Sequence, residues 1–417
     1  MEKIQAVRGT KDLLPDSIYL WQFLFDKFKE ISKLFNYTEI RTPIFEKTEV
    51  FHRSIGEATD IVNKEMYTFT DKGGESITLR PEATAALVRS IIQYSLNHDH
   101  PILRLWYFGP FFRYERPQKG RLRQFHQYGA ELIGSQHPEA DLEIILLANE
   151  LIKSIGVEDY TLLINSLGND NSRKMYRQTL VNFLETNADK LSIESRNRLQ
   201  INPLRILDSK DEQDIKLLET APAIIDYLDD ESKLHFEQVL DGLQELGINY
   251  QIHNKLVRGL DYYSHTVFEF RSNYLGSQDS FGGGGRYDGL FEQLGGKPTP
   301  AVGFAYGLER LLLILEQINK LPEKQEKLDF YFIIQNSKFY NHAQKIALKL
   351  REKGFSAIVE ILRRSFKSQL REANKIGAKY AVIIGEEEFL ENKVTVKNLS
   401  NSDQETITID EFLNLSR

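Results

Sequence analysis

Residues 112–134, FRYERPQKGRLRQFHQYGAELIG, concentrate basic side chains in a chain that is acidic overall. The chain has 53 Lys and Arg against 60 Asp and Glu, a formal net charge of −7. The basic residues surround a single acid, Glu115; they are Arg113, Arg116, Lys119, Arg121 and Arg123. Guanidinium groups bind phosphates and carboxylates through paired hydrogen bonds. The segment therefore predicts a local site for an anion.

The end of this segment predicts a strand with one unusual face. Because side chains alternate along a strand, Gln127, Gly129 and Glu131 share one face, and the largely apolar residues between them share the other. We expect Arg113, on the partner strand of a hairpin, to converge with Gln127 and Glu131 around the space left by Gly129. Such a site could hold a ligand with both signs of charge, for example an amino acid beside a nucleotide phosphate. A solvent-exposed polar face is the alternative.

Two later segments carry similar candidates. VRGLDYYSH places Arg258 close to Tyr262 and Tyr263, and paired tyrosines can line a ligand site or simply fill a core. SFGGGGRYDG contains four consecutive glycines, 282–285, which fit neither the P-loop nor the dinucleotide-binding pattern. Glycine within a strand instead allows a ligand or another backbone to approach closely.

The segment AVGFAYGLERLLLIL predicts a strand followed by an apolar helix that opens with Glu309 and Arg310. A charged pair at this position can form a salt bridge at the helix end. It could equally present Arg310 to a phosphate.

These candidates need a scaffold, and the hydrophobic pattern predicts one. An amphipathic helix is predicted over 18–35, followed by a strand that stops at Pro43. SITLRPEATAALVRSII predicts a strand passing through Pro81 into a helix. ILRLWYFGPFFRYE and LRQFHQYGAELIG predict the two arms of a hairpin, with the cationic segment as its loop.

The remaining segments suggest an insertion and a second domain. A helix is predicted near 139–152 and a strand at YTLLINSLG, and the polar, helical stretch from about 170 to 250 predicts an insertion. A charged, proline-containing boundary follows at 319–329. Beyond it, strands and helices alternate as β-α-β-α-β, typical of a small α/β domain. We therefore expect domains at 1–325 and 328–417.

Composition excludes several classes of chemistry. The chain has no cysteine, which rules out disulfides, thiolate catalysis and cysteine-containing zinc sites. It contains no H-E-x-x-H zinc motif and no cluster that predicts a metal site. No run of eighteen apolar residues and no signal peptide is present, so we expect a soluble, cytoplasmic protein without a membrane partner.

Taken together, these motifs resemble those of class II aminoacyl-tRNA synthetases, and within them the histidyl-tRNA synthetases, over essentially the whole chain. YTEIRTPIFE is similar to class motif 1, the cationic segment to motif 2, and AVGFAYGLERLLLI to motif 3. LVRGLDYY and SFGGGGRYDGL are similar to the two peptides peculiar to the histidine enzymes. TLRPEATAA is also close, although many relatives have glycine where this chain has Ala83.

The resemblance implies an α+β fold: an antiparallel sheet flanked by helices, a helical insertion and a C-terminal α/β anticodon-binding domain. It implies a histidine–tRNA ligase that uses ATP, with Mg²⁺, to form histidyl-adenylate and then charges the 3′ end of tRNA(His). It also implies a homodimer, with motif 1 at the interface.

The resemblance further implies roles for individual residues. The residues that would bind histidine are Glu82, Thr84, Arg113, Gln127, Glu131, Arg258, Tyr262 and Tyr263. Those that would bind ATP are Arg113, Glu115, Arg121, Phe125 and Arg310. Arg258 and Arg113 would be catalytic, and Glu115 could hold Mg²⁺. The residues that would contact the acceptor end of tRNA are Arg116, Gln118, Lys119 and Arg123.

Within the histidine site, Glu82, Thr84 and Gln127 would bind the α-amino group, whereas Glu131 and Tyr263 would contact the imidazole. Two alternative functions remain. One is a non-catalytic, synthetase-like regulatory subunit of histidine biosynthesis, which typically lacks the C-terminal domain and the catalytic arginines. The other is a simple RNA-binding module, which would not need acidic residues converging with arginines.

Overall fold

The structure, a computed structural model, describes residues 3–56, 59–276, 279–324 and 328–414. The chain divides into two units, Met1–Pro322 and Glu323–Arg417, each built around its own large sheet. Among the described residues, no helix combines the length and the apolar character needed to cross a membrane.

The first unit contains ten α-helices and eleven strands within its described residues. The helices are α1 Ile18–Leu34, α2 Thr48–Ile55, α3 Thr84–Tyr94, α4 Pro138–Ser154, α5 Asp170–Thr186, α6 Ile193–Ile201, α7 Glu212–Leu218, α8 Asp230–Glu245, α9 Leu290–Gln293 and α10 Leu308–Gln317. The strands are β1 Thr38–Glu39, β2 Phe45–Lys47, β3 Tyr67–Thr70, β4 Ser76–Leu79, β5 Leu103–Phe112, β6 Gln124–Ile133, β7 Thr161–Ser166, β8 Gln251–Ile252, β9 Ser264–Arg271, β10 Ser280–Arg286 and β11 Ala301–Gly307.

Eight of these strands form the main sheet, in the order β1-β5-β6-β11-β10-β9-β7-β8. The six central strands are antiparallel, and only the two-residue edge strands β1 and β8 pair in parallel. The predicted hairpin is confirmed: β5 and β6 pair from Leu103 opposite Ile133 to Phe112 opposite Gln124. β2, β4 and β3 form a separate three-stranded sheet.

The two faces of the main sheet have different environments. Tyr128 and Ala130 point into a core formed with α1, α4, α8 and α10, where Phe28 and Ile144 are fully buried. Burying a side chain of that size stabilises the fold by about 1.5–3 kcal/mol. Glu131 alternates to the opposite face, and that face carries the cavity described below.

The segment from 170 to 250 is helical, as predicted. Its last helix, α8, does not lie apart from the main body, because Phe236, Val239 and Leu243 pack into the same core as α1 and α4. α5, α6 and α7 instead contribute to a second apolar cluster, which includes part of the cavity-bearing face. Only this earlier part of the segment borders the cavity.

The strand predicted around Pro43 is much shorter than expected. Only Thr38–Glu39 pairs with β5, and the chain then turns away before β2 begins. The Arg80 guanidinium donates to the carbonyl and the hydroxyl of Thr42 at 3.0 and 3.2 Å, which holds the chain in this departure from the sheet. Pro43 itself has no N–H to offer a neighbouring strand.

The second unit is an α/β domain. Its strands are β12 Phe330–Ile334, β13 Ala357–Val359, β14 Tyr380–Ile384, β15 Lys393–Asn398 and β16 Gln404–Thr408. Its helices are α11 Tyr340–Glu352, α12 Phe366–Lys375, α13 Glu386–Leu390 and α14 Ile409–Leu413. The sheet order is β13-β12-β14-β15-β16, parallel through the first three strands and antiparallel thereafter. The predicted β-α-β-α-β alternation is confirmed, and the antiparallel pair β15–β16 extends it.

Candidate active site

One cavity of the first unit collects the residues predicted to bind histidine and ATP. It has a volume of about 1780 Å³ and opens on the sheet face that carries Glu131. Its walls include all twelve predicted residues, namely Glu82, Thr84, Arg113, Glu115, Arg121, Phe125, Gln127, Glu131, Arg258, Tyr262, Tyr263 and Arg310. They come from α3 and the residues before it, the β5–β6 loop, β6, the β8–β9 loop and α10, so the fold brings together residues that are distant in sequence.

Glu131 forms the floor of this cavity. Its two carboxylate oxygens accept hydrogen bonds from the Thr84 hydroxyl at 2.8 Å and the Tyr287 hydroxyl at 2.7 Å. A longer contact, 3.5 Å, joins it to the Tyr107 hydroxyl. Burial raises the pKa of the Glu131 carboxyl to about 8, although these hydrogen bonds act in the opposite direction. Burial therefore favours the neutral form of this floor.

Four tyrosines enclose the same floor. Tyr262 and Tyr263 contact each other with ring centroids 4.8 Å apart, and Tyr262 meets Tyr287 edge-on at 5.7 Å. Burial raises the pKa of each of these hydroxyls and of Tyr107, so all four stay neutral. The result is a buried pocket whose polar atoms are hydroxyl and carboxyl groups.

Glu82 is also buried, but its carboxylate has a second task. It accepts hydrogen bonds from the backbone N–H groups of Thr84 and Ala85, at 2.6 and 2.9 Å, and so caps the first turn of α3. Burial raises its pKa, whereas these N–H groups and Arg113 lower it. α3 begins at Thr84. Pro81 and Glu82 therefore lie just before its first turn.

The space beside Gly129 is not open to a ligand, which corrects one expectation. A Cβ at Gly129 would lie 2.2 Å from the Tyr107 hydroxyl oxygen, because that side chain crosses over the glycine. Tyr107 is the direct cross-strand partner of Gly129 in the hairpin. Arg113 and Glu131 therefore reach the cavity on either side of a tyrosine, not around an empty gap.

Arg258 lies flat over the glycine-rich strand β10. A Cβ at Gly283 would lie 2.9 Å from the Arg258 Nη1, so the glycine creates the room for the guanidinium. That nitrogen donates to Glu269, whose other oxygen accepts from Arg271 Nε at 2.6 Å. The Nε of Arg258 is buried without a hydrogen-bond partner. A buried cation with an unused donor is suited to an anion entering the cavity.

A second cationic group lies near the hairpin loop. Arg310 donates to the backbone carbonyls of Ser280 and Gly120. Burial lowers its pKa, and the neighbouring Arg121 lowers it further. Two guanidinium groups brought this close repel each other until an anion neutralises them. Glu309 does not pair with Arg310 in a helix-end salt bridge, because it instead accepts from His126 N and Nδ1 at 3.0 and 2.9 Å.

The remaining nucleotide candidates line the same cavity. The Arg113 guanidinium lies 5.3 Å from the centre of the Phe125 ring and donates through Nε to the Pro81 carbonyl at 3.0 Å. Glu115 pairs with Arg121 at 3.2 Å. Burial raises the pKa of Glu65, another cavity residue, and the nearby Glu115 carboxylate raises it further.

Comparisons with known proteins agree with this geometry. The family profile of histidyl-tRNA synthetase matches residues 9–311, and that of the anticodon binding domain matches residues 329–416. A protein of Acaryochloris marina named histidine–tRNA ligase is 48% identical over 413 residues, covering 99% of this chain and 96% of its own length. This chain belongs to the histidyl-tRNA synthetase family.

Solved structures show the same relationship. The apo histidyl-tRNA synthetase of S. aureus has a TM-score of 0.83 at 39% identity, with 99% of both chains covered. A Bacillus halodurans protein described as an ATP phosphoribosyltransferase regulatory subunit/histidyl-tRNA synthetase has a TM-score of 0.66 at 21% identity. It covers 92% of this chain and 99% of its own, and at that identity it shows the fold alone.

The loop assigned to tRNA is only partly free in this synthetase-family chain. Arg116, Gln118 and Lys119 are exposed, outside the cavity. Arg123 is half-buried, with its guanidinium 3.8 Å from the centre of the Tyr114 ring and its Nε donating to the Glu115 carbonyl. Arg123 therefore packs at the base of the loop, whereas the other three side chains project from it.

Sequence reasoning missed several residues of the site, namely Glu65, Tyr107, Arg205, Glu269, Tyr287 and Gly303. Tyr287 lies two residues after the glycine run, and its hydroxyl donates to Glu131. Gly303 lies opposite Glu131 in β11, where a Cβ would be 1.5 Å from the carboxylate. Neither relation is visible without the register of the strands.

Proposed function

We propose that this chain is a histidine–tRNA ligase. It activates histidine with ATP, forming histidyl-adenylate and pyrophosphate, and then transfers the histidyl group to the 3′ end of tRNA(His). The observation that carries this proposal is the single cavity that joins a buried acid–tyrosine pocket to the guanidinium groups of Arg113, Arg258 and Arg310, in a member of the histidyl-tRNA synthetase family.

The pocket suits an imidazole. A neutral imidazole has one N–H donor and one nitrogen acceptor, and Glu131 and Tyr263 can supply a partner for each. A site built in this way rejects analogues that cannot form both hydrogen bonds, because its own buried groups would then lack partners. Glu82, Thr84 and Gln127, at the edge of the same pocket, would hold the α-amino group and so direct the carboxylate toward the arginines.

Adenylation needs no nucleophile from the protein. The histidine carboxylate attacks the α-phosphorus of ATP, a new P–O bond forms, and the bond to pyrophosphate breaks. The protein must therefore align the two substrates and neutralise the charge that develops at the α-phosphate. Arg113 and Arg258 are the candidates for the α-phosphate and the attacking carboxylate. Arg310 would bind the terminal phosphates, and Phe125 would stack on the adenine.

Mg²⁺ would accompany ATP as part of the substrate. The described residues contain no group of three or more acidic, cysteine or histidine side chains arranged to hold a metal ion. Mg²⁺ usually binds nucleotide sites through one or two carboxylates together with the phosphates. Glu115 and Glu65, which line the cavity near each other, fit that requirement. The ion would neutralise phosphate charge.

Two surfaces are candidates for tRNA. The hairpin loop presents Arg116, Gln118 and Lys119 at the cavity edge of the first unit, where the acceptor end must enter. In the second unit, α12 presents an exposed basic row at four-residue spacing, Lys367, Arg371 and Lys375. Side chains four apart share one face of a helix, so the row could follow an RNA backbone.

We also propose that the protein acts as a homodimer in the cytoplasm. Phe45 and Phe69 lie on the three-stranded sheet and are 58% and 49% exposed, and Ile44, just before β2, is 44% exposed. A second copy would cover this apolar surface. Sedimentation equilibrium would give about twice the 48.3 kDa chain mass for a dimer. A monomeric mass for the active enzyme would contradict this assembly. Cell fractionation tests the location.

ATP–pyrophosphate exchange with a panel of amino acids tests the function. We expect exchange that depends on histidine and on no other amino acid in the panel. A non-catalytic regulatory subunit or an RNA-binding module would give no exchange. Against the regulatory subunit, this chain retains Arg113, Arg258 and Arg310 in the cavity and carries the second unit. Exchange with a different amino acid would refute the proposed specificity.

A further inference from the structure

The helical segment bordering the cavity reaches the loop that carries Arg258. Arg205 Nη1 donates to the backbone carbonyl of Arg258 at 2.7 Å. One helical turn earlier, the Asn202 side-chain amide donates to both carboxylate oxygens of Asp261, at 3.1 and 3.0 Å. Two side chains of the insertion therefore hold both ends of the peptide 258–261.

This peptide has no regular secondary structure, although Leu260 packs against two apolar clusters. It lies between β8 and β9, where residues 253–263 form no helix or strand. Asp261 N donates to the Ile55 carbonyl at 3.1 Å, which fixes the far end of the peptide. Gly259 has no side chain that could pack against a neighbour. The nearest group to a Cβ built at this residue is the Arg205 guanidinium, whose Nη2 would lie 3.9 Å away. Arg205 is therefore one of the groups that fix the backbone at Arg258.

Arg205 is itself rigidly placed. It lies on the 3₁₀ turn Pro203–Asp208, and its neighbours Ile206 and Leu207 are buried in the apolar cluster of the insertion. A second contact, Arg198 to Asp60 at 3.1 Å, joins the insertion to the wall of the cavity. The 3₁₀ turn therefore holds Arg205 in a fixed position beside the loop that carries Arg258.

The two ends of the Arg258 residue are held by different parts of the fold. Glu269, on β9, accepts a hydrogen bond from the guanidinium, and Arg205 donates a hydrogen bond to the backbone carbonyl. The Nε of Arg258 is left buried and unpartnered. A shift of about 1 Å in such a group can cost about 100-fold in rate.

We propose that Arg205 is a positioning residue for adenylation: it holds the Arg258 peptide so that the Arg258 guanidinium faces the reacting phosphate. The insertion thereby completes the active site. This inference rests on the proposed ligase function, and it assigns Arg205 no contact with substrate.

The test compares Arg205→Ala, Arg205→Lys and Arg196→Ala in the full-length protein by histidine-dependent ATP–pyrophosphate exchange. Arg205→Ala should lower kcat about 10-fold to 100-fold, the range expected for one hydrogen bond from a charged donor, and leave KM for ATP and histidine within about threefold. Arg205→Lys should recover part of the loss, because lysine can still donate to the carbonyl. Arg196 is the matched control, since its guanidinium donates only to carbonyls of the insertion, those of Leu191 and Asp189.

A double-mutant cycle separates positioning from a general effect on folding. Single-turnover adenylate formation should fall no further when Arg205→Ala is added to Arg258→Ala, because the group being positioned is already absent. Multiplying losses would overturn the proposal, and so would an unchanged kcat in Arg205→Ala. A raised KM for ATP at constant kcat would make Arg205 a direct phosphate ligand, which also overturns it. Absence of exchange in the unmodified protein would instead refute the ligase function.

Discussion

Replacing Gly303 with alanine should abolish efficient use of histidine while sparing ATP binding. Gly303 on β11 lies directly opposite Glu131 on β6. A Cβ at this position would lie 1.5 Å from Glu131 Oε2 and 2.4 Å from its Cδ. Both distances are far inside van der Waals contact, so the Glu131 carboxyl group must move away from the floor of the pocket.

The size of the loss in histidine use follows from the hydrogen-bond donors that Glu131 leaves without an acceptor when it moves. The hydroxyls of Thr84 and Tyr287 would lose their acceptor while remaining buried. A buried donor without a partner costs about 1–3 kcal/mol, so two of them cost about 2–6 kcal/mol. If that cost appears in recognition of the imidazole, kcat/KM for histidine should fall by about 30-fold to 10⁴-fold.

The assay is ATP–pyrophosphate exchange as a function of histidine concentration, with ATP affinity measured separately by calorimetry. Gly289→Ala is the matched control, since its nearest neighbour, Gln293 Nε2, would be 4.0 Å from the new Cβ. We expect this control to behave like the unmodified protein. A Gly303→Ala enzyme with kcat/KM for histidine within threefold of the parent would refute the role given to Glu131.

Three further predictions concern charged groups. Burial raises the pKa of Glu131 to about 8, so its contribution to stability is complete below its ordinary pKa and is lost as the pH rises toward 8. Between pH 5 and 8, urea unfolding should show the parent losing up to about 1.4 kcal/mol per pH unit relative to Glu131→Gln. Glu269→Gln frees the Arg258 guanidinium and should lower kcat for exchange about tenfold, with KM for ATP unchanged. The pair Lys367→Glu and Arg371→Glu should raise KM for tRNA in aminoacylation at least about tenfold without altering exchange.

Each of these has a distinct contradicting result. Parallel stability profiles for Glu131→Gln and the parent would show that Glu131 does not take up a proton in the folded state. Full activity in Glu269→Gln would mean that Arg258 needs no carboxylate to hold it. For the tRNA surface, the charge-matched control is Lys345→Glu with Lys349→Glu, two exposed lysines of α11. An equal rise in KM for tRNA in that control would show that the effect comes from the net charge of the protein and not from this surface.

Local patterns predicted much of the site. Alternation along β6 placed Gln127 and Glu131 on one face, because the period of a strand is two whatever its partners are. The glycine run was also interpreted correctly as a place of close approach. At Gly283 the closest approach is another backbone, the Phe268 carbonyl, as the sequence suggested, and the Arg258 side chain lies almost as close.

Relations between distant segments could not be predicted in the same way. Tyr107 fills the space beside Gly129 only because the hairpin register sets those two residues opposite each other, and the intervening loop hides that register. The hydrogen bond from Arg205 to the Arg258 carbonyl joins residues 53 positions apart, in segments with no shared periodicity. The antiparallel strands β15 and β16 were missed because they extend a sheet whose parallel part already forms a complete α/β pattern.

Burial of Glu131, which favours its neutral form, gives the pocket a selectivity that a permanently charged floor would lack. An ionised carboxylate buried among the four tyrosine hydroxyls would favour lysine or arginine, whose positive charge would compensate it. Burial raises the pKa of Glu131 to about 8 and also raises the pKa values of Tyr107, Tyr263 and Tyr287, so the floor favours its uncharged form. A permanent cation would then enter without a counter-ion, and a phenyl ring would leave the hydroxyls without partners. Imidazole, neutral near pH 7 yet able both to donate and to accept, avoids both costs.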